Sequence, residues 1–246
     1  MRFIRLSILV FISYTTLLAQ AAYAEIWSYD SDQNNQDEWA GLDKDYAVCG
    51  SGKEQSPAQI SFTQKEKLPA LAFHYGDTKA KLQQKDYTLV ADIEGNNTLM
   101  ESGKSYKLVQ LRFHSPSEHT VLERFWPVEI QLMHQDSDGK TLILSVFAET
   151  GESNAALQTL LDHVPEKTAI SEISFNPQSF IPPKPGYYAY TGSLTIPPCA
   201  EGIEWRILKE PISISQKQFS GVAKITGRNA RLPQPIYMRT IKETGE

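Results

Sequence analysis

Short runs of alternating apolar and polar residues, or of consecutive apolar ones, recur along the chain and are bounded by Gly, Pro, Asn and Asp. Tyr87 to Ile93, Tyr106 to His114, Pro127 to Met133, Leu142 to Phe147, Tyr188 to Leu194 and Ile203 to Leu208 read this way. A period of two, or a short bounded apolar run, is what a strand with one or both faces buried requires. Apolar residues at helical spacing are scarce. Two short helices are expected, Ala155 to His163 with Pro165 beyond it as a stop signal, and Gln216 to Ile225. Asp136-Ser137-Asp138-Gly139 lies between two strand-like runs and reads as a hairpin turn, because Asp and Gly tolerate the backbone angles of a tight reversal. The expected fold is mostly β, an α+β chain with short helices.

Two of these strands bring chemistry together. Side chains alternate across a strand, so Gln110, Arg112 and His114 share one face, and Glu129, Gln131 and Met133 share another. If the two strands pair, Arg112, His114 and Gln131 converge.

The N-terminus stands apart. Arg2 and Arg5 precede an apolar stretch from Leu6 to Leu18, and Ala22-Tyr23-Ala24 supplies small residues for cleavage, so residues 1–24 read as a signal peptide cut before Glu25. A membrane span is the competing reading, but Ser7, Ser13, Thr15 and Thr16 interrupt the run and it falls short of the roughly 20 apolar residues a span needs. Residues 25–246 then form one domain, since no linker, charge block or repeat divides them. With 24 basic and 29 acidic side chains the net charge is −5. Loss of Arg2 and Arg5 makes it more negative, which argues against nucleic acid or an anionic membrane as the main partner. Cys49 and Cys199 are the two cysteines. In an exported chain an even count is most simply a disulfide, the alternative being two buried thiols. A periplasmic or secreted location is expected.

The stretch from Leu108 to Thr120, LVQLRFHSPSEHT, resembles the alpha-class carbonic anhydrase segment Q-F-H-F-H-x-P-S-E-H in its bacterial form. Trp27-Ser28-Tyr29, then Cys49-Gly50 and Gln55-Ser56-Pro57, are similar to the family's N-terminal stretches. Tyr190 to Cys199, YTGSLTIPPC, followed by Glu201-Gly202 and Trp205, resembles Y-T-G-S-L-T-T-P-P-C-x-E-G-x-x-W. Asn229-Ala230-Arg231-Leu232-Pro233-Gln234-Pro235 resembles N-x-R-P-x-Q-P with two positions disturbed. These stretches occur in family order across nearly the whole mature chain. The resemblance implies a large, twisted, mainly antiparallel central sheet, a cleft with zinc on three histidines at its floor, and a Cys49–Cys199 bridge.

The departures carry the functional reading. The resemblance puts the family's three zinc positions at Arg112, His114 and Gln131, so one histidine of three is retained. Arg112 has donors only and stays protonated, and Gln131 offers at most a neutral amide oxygen. Catalytic zinc needs three protein ligands and an open position, so no zinc is expected. His74 and His163 lie outside the floor strands, and His119 and His134 are odd numbers of steps from the ligand positions, which points them away. Gln110 and Glu129 match groups that orient the zinc histidines, and Glu118 with Thr195 matches the pair that orients zinc-bound hydroxide. Tyr87, in Lys85-Asp86-Tyr87, falls near the proton-shuttle position, where a phenol is a poor shuttle at neutral pH. Ile196 replaces a second Thr.

Two functions follow as expectations. The first is a binding or structural protein of the cell envelope without carbon dioxide hydration, with a small anion near Arg112 or an envelope partner as the ligand. The alternative is weak hydration through a non-standard metal site. The charge of Arg112 must find a carboxylate, an anion or water. The expected partner is Glu118 or Glu129, which would close the site internally; an unpaired Arg112 would face the cleft.

Overall fold

The computed structural model describes residues 27–29, 33–85 and 87–245. The expected signal peptide, residues 1–24, its expected cleavage point and Asp86 lie outside the described residues. The strands that build the site are β1 (Thr78–Lys85), β2 (Thr88–Ile93), β3 (Lys104–His114), β4 (Val128–Gln135), β5 (Thr141–Thr150), β6 (Ser171–Phe175), β7 (Tyr187–Ser193) and β8 (Glu201–Leu208). They belong to one 13-stranded sheet, in the order β6-β1-β2-β3-β4-β5-β8-β7, continued by Lys242–Thr244 and Gln64–Glu66. Pairing is antiparallel from β6 to β5 and between β8 and β7. Parallel pairs join β5 to β8 and close the far edge. The sheet is mainly antiparallel, as the resemblance implies.

The central strands are buried on both sides. Leu82, Ala91, Leu111, Phe113, Ile130, Leu132, Leu144 and Val146 fill one side of the sheet, with Leu157, Leu160 and Val222 from the helices packed on them. Burying each of the Leu, Ile, Val and Phe side chains among them contributes roughly 1.5–3 kcal/mol. A second cluster, Trp126, Ile143, Phe147, Tyr190, Trp205 and Ile207, lies on the other, where Trp126 stacks on Phe147 at 3.9 Å.

The two expected helices are α1 (Ala155–Asp162) and α2 (Gln216–Thr226). Asn154 and Ser215 cap them, each accepting a backbone N–H. Gln218 completes a capping box on α2 and also bonds the backbone N–H and carbonyl of Asn154, tying the two N-termini together. The hairpin falls at Asp136–Gly139 as expected. Asp136 Oδ1 accepts from Asp138 N and Lys140 N, and Gly139 has φ +79°.

One irregularity in β3 matters for the site. Leu108 pairs with His134 but Gln110 pairs with Met133, so Val109 is an extra, bulged residue. Before it the even positions Tyr106 and Leu108 enter the core; after it the odd positions Leu111 and Phe113 do. The bulge thereby turns Gln110, Arg112 and His114 to the opposite face. Cys49 and Cys199 are disulfide-bonded at an S–S distance of 2.08 Å, within a cluster with Trp27, Tyr29 and Trp39.

Candidate functional site

β3 and β4 place Arg112 opposite Gln131 and His114 opposite Glu129. Ser145 of β5 continues the row beyond Gln131, and Val90 of β2 lies on the other side of Arg112. The convergence expected from the alternation is present, and it forms a polar floor on an otherwise apolar sheet.

Glu129, fully buried, is the hub. Its Oε2 accepts the backbone N–H groups of Glu118 and His119, both at 2.9 Å. Its Oε1 accepts from His119 Nδ1 at 2.9 Å, Ser145 Oγ at 2.8 Å and Gln131 Nε2 at 3.1 Å. Burial works to raise its pKa, but the charge and hydrogen bond of His119, the charge of His114 and the backbone donor outweigh it and hold the carboxyl at about 2. From His119 the chain of bonds continues: Nε2 meets Tyr190 Oη at 2.7 Å, and Tyr190 Oη meets Ser56 Oγ at 2.8 Å. Burial pushes the Tyr190 phenol far above its ordinary pKa, so it stays neutral.

Glu118 is equally buried. Its Oε2 accepts from Gln131 Nε2 at 2.7 Å and its Oε1 from the Arg231 backbone N–H at 3.0 Å. The Gln131 amide nitrogen thus bridges two carboxylates. The orientation is dictated by charge, because a flipped amide would aim its oxygen at both. Gln131 Oε1 accepts nothing from the described residues and, although the residue is 4% exposed, retains solvent contact.

His114 Nδ1 lies 2.8 Å from the Asn229 carbonyl, to which it must donate. Its Nε2, where a deprotonated ring would carry its lone pair, is buried and has no partner among the described residues. Asn229 is the anchor sequence reading missed. It also accepts from Ser115 N and donates to the carbonyls of Tyr87 and Phe113.

Arg112 corrects an expectation. It forms no ion pair with Glu118, Glu129 or any other described carboxylate, and is half-buried. Its Nε donates to Gln110 Oε1 at 2.6 Å, and Gln110 Nε2 donates to Asp92 Oδ1 at 2.7 Å. Glu118 and Glu129 are already supplied with donors by Gln131, His119, Ser145 and backbone, and Gln110, two residues before Arg112 on the same strand face, is in reach of the guanidinium. Asp92, its partner at second hand, went unnoticed in the sequence, although it pairs directly with Gln110 across β2 and β3.

The remaining candidates fall as follows. Thr195 is buried, and its hydroxyl makes no hydrogen bond to Glu118 or to any other described residue. Tyr87 sits in a turn with its ring 4.2 Å from Trp27 and 5.8 Å from Tyr29, and Ile196 packs on the same cluster. His134 faces away from the floor as expected, bonded to Tyr75 Oη at 2.6 Å. For His119 the alternation argument fails: the strand ends at His114, so parity no longer governs, and His119 turns inward to Glu129. Both of its nitrogens are engaged there.

The fold has well-matched counterparts. An alpha-carbonic anhydrase from Photobacterium profundum superposes with a TM-score of 0.82 at 33% identity, covering 88% of this chain and all of that one. The family profile of eukaryotic-type carbonic anhydrases matches residues 34–244. The chain belongs to the alpha-class carbonic anhydrase family. A carbonic anhydrase of Neisseria gonorrhoeae is 32% identical over 221 residues, 88% of this chain and 87% of its own. A dioscorin solved in complex with ascorbate matches with a TM-score of 0.83 at 28% identity, over 90% of this chain and 99% of that one.

Carbonic anhydrases of this family use zinc, and the donor set decides whether it fits here. The floor offers one imidazole lone pair, at His114 Nε2. The Gln131 nitrogen is committed to two carboxylates, and Arg112 brings a fixed positive charge with no lone pair. These residues do not fit a tetrahedral zinc with three protein ligands.

Proposed function

We propose that this protein is a carbonic anhydrase-fold binding protein of the cell envelope, without catalytic zinc and without carbon dioxide hydration. The observation that carries the reading is Arg112 facing Gln131 across β3 and β4 beside the single lone pair of His114. Hydration at neutral pH depends on a metal lowering the pKa of bound water to about 7; a guanidinium cannot take that role. The hydroxyl of Thr195, unengaged by Glu118, supports the same reading.

Supports for the envelope location are the signal-type N-terminus and the Cys49–Cys199 disulfide. Among the described residues no helix is long and apolar enough to cross a membrane. The dioscorin solved with ascorbate is a protein of this fold holding a small acid, which favours a binding role. The second reading, weak hydration through a non-standard metal, is supported by the carbonic anhydrases among the relatives and by the unpartnered His114 Nε2.

The test is stopped-flow carbon dioxide hydration by the mature protein with added zinc. The expected rate equals the uncatalysed rate at micromolar protein, and a saturable, protein-dependent acceleration refutes the proposal.

A further inference from the structure

Of the seven asparagines in the chain, only Asn96 has a serine or threonine two residues later, Thr98, and the Asn97 between them is not proline. That spacing is the acceptor pattern for N-glycosylation, which calls for an exposed loop in an exported protein. The pattern alone is short, and the structure around it supplies the rest. Glu94 to Asn97 connect β2 to the strand Thr98–Glu101, with Gly95 at φ +86° taking the left-handed step of the turn. Asn97 is buried and pins this turn: its Oδ1 accepts from Gly76 N and its carbonyl from Leu108 N, each at 2.8 Å. Asn96, its neighbour, is exposed, and its carboxamide bonds to no described residue. The Thr98 hydroxyl, the group a transferase must read, is likewise unengaged by any described residue. A polar groove of about 630 Å³ begins at Asn96 and Thr98 and runs past Lys104, Lys107, Gln135 and Ser137. Its ammonium, amide and hydroxyl groups suit the hydroxyls of the first sugars of a glycan.

We infer that Asn96 is an N-glycosylation site whose substrate is a lipid-linked oligosaccharide. The Asn96 amide nitrogen attacks C1 of the first sugar. The N–C1 bond forms as the bond from C1 to the lipid diphosphate oxygen breaks, the diphosphate leaves with the electron pair, and the amide gives up one proton. Glu94 narrows the class of transferase. It stands two residues before Asn96, is exposed, and is held only by a surface pair with Lys81 at 3.4 Å; single-subunit bacterial oligosaccharyltransferases require an acid at that position. The inference rests on the exported, envelope reading, because the transfer takes place outside the cytosol.

Folded mature protein, residues 25–246, is incubated with a purified bacterial oligosaccharyltransferase and lipid-linked oligosaccharide, beside an acceptor peptide as positive control, and read by intact mass and peptide mapping. Most chains should gain the mass of one oligosaccharide, on Asn96. Asn96→Gln and Thr98→Val should lose the shift entirely, Thr98→Ser should keep it, and Glu94→Gln should lose most of it. All four positions lie outside the floor, and circular dichroism checks that each variant is folded. An unmodified protein beside a modified control peptide overturns the inference and leaves the export reading untouched. Transfer that persists in N96Q overturns it too, and equal transfer to E94Q removes the role given to Glu94. Export is read separately, from the N-terminal residue of the full chain expressed in a bacterium. Glu25 is the expected first residue; retention of Met1 sinks the export reading and the inference with it.

Discussion

The guanidinium of Arg112 and the amide of Gln131 divide the work that charge demands on this floor. Two buried carboxylates, Glu118 and Glu129, share the Gln131 nitrogen, and Arg112 stays out of their network on a Gln110–Asp92 relay. Replacing Gln131 by Leu removes the donor from both buried acids. Urea unfolding should then show a loss of about 2–3 kcal/mol, and a loss under 0.5 kcal/mol would mean the bridge contributes nothing. Restoring zinc chemistry needs both substitutions. R112H/Q131H together should bind zinc, because His114 is oriented by Asn229 and Glu129 is in place. Each single change should leave zinc weak. Metal analysis after dialysis checks this, and a folded double variant without zinc shows that more than the ligands was lost. The sequence disclosed these positions through strict alternation and motif spacing. It hid the partner of Arg112, since choosing among Glu118, Glu129 and Gln110 depends on rotamers and on which acids are already saturated.

Strands and helices were legible to within one or two residues where the pattern was strong, as in α1, α2, β2 and the 136–139 turn. The bulge at Val109 was legible in principle, in the step of three between Leu108 and Leu111, but a uniform period-two reading passes over it. Its consequence is testable. Removing Val109 leaves both flanking registers intact, Leu108 with His134 and Gln110 with Met133, so the deletion variant should fold with a loss of no more than about 1–2 kcal/mol. Removing Val146 from the unbulged β5 flips every following side chain and should abolish cooperative unfolding. Equal behaviour of the two deletions would contradict the bulge. Parity does not extend to His119 for a related reason, since β3 ends at His114 and the loop beyond it keeps no period of two.

Acid stability belongs to the whole molecule, where two buried groups act in the same direction. Burial holds His134 near pKa 4, below its ordinary 6.5, so the folded state resists a proton that the unfolded chain accepts. Its contribution is complete above pH 6.5 and is lost as pH falls toward 4. Glu129, held at about 2, contributes fully above about pH 4.5 and is lost below it. Stability should therefore fall from pH 7 to 5 with a slope of at most about 1.4 kcal/mol per pH unit. His134→Gln should flatten that limb and leave the loss below pH 4.5 that belongs to Glu129; an unchanged profile would contradict the assignment. The Cys49–Cys199 link, separated by 150 residues, joins the N-terminal cluster to the segment bearing Thr195. Reduction should lower the unfolding free energy by roughly 5 kcal/mol on the chain-entropy view, read from urea midpoints with and without reductant.

All of this turns on whether a carbonic anhydrase fold with Arg112, His114 and Gln131 at its floor holds zinc. The direct measurement is the metal content of the mature protein, purified without chelator, equilibrated with zinc and dialysed. The protein should retain less than about a tenth of a zinc per chain, and about one tightly held zinc per chain would show that this floor does bind the metal.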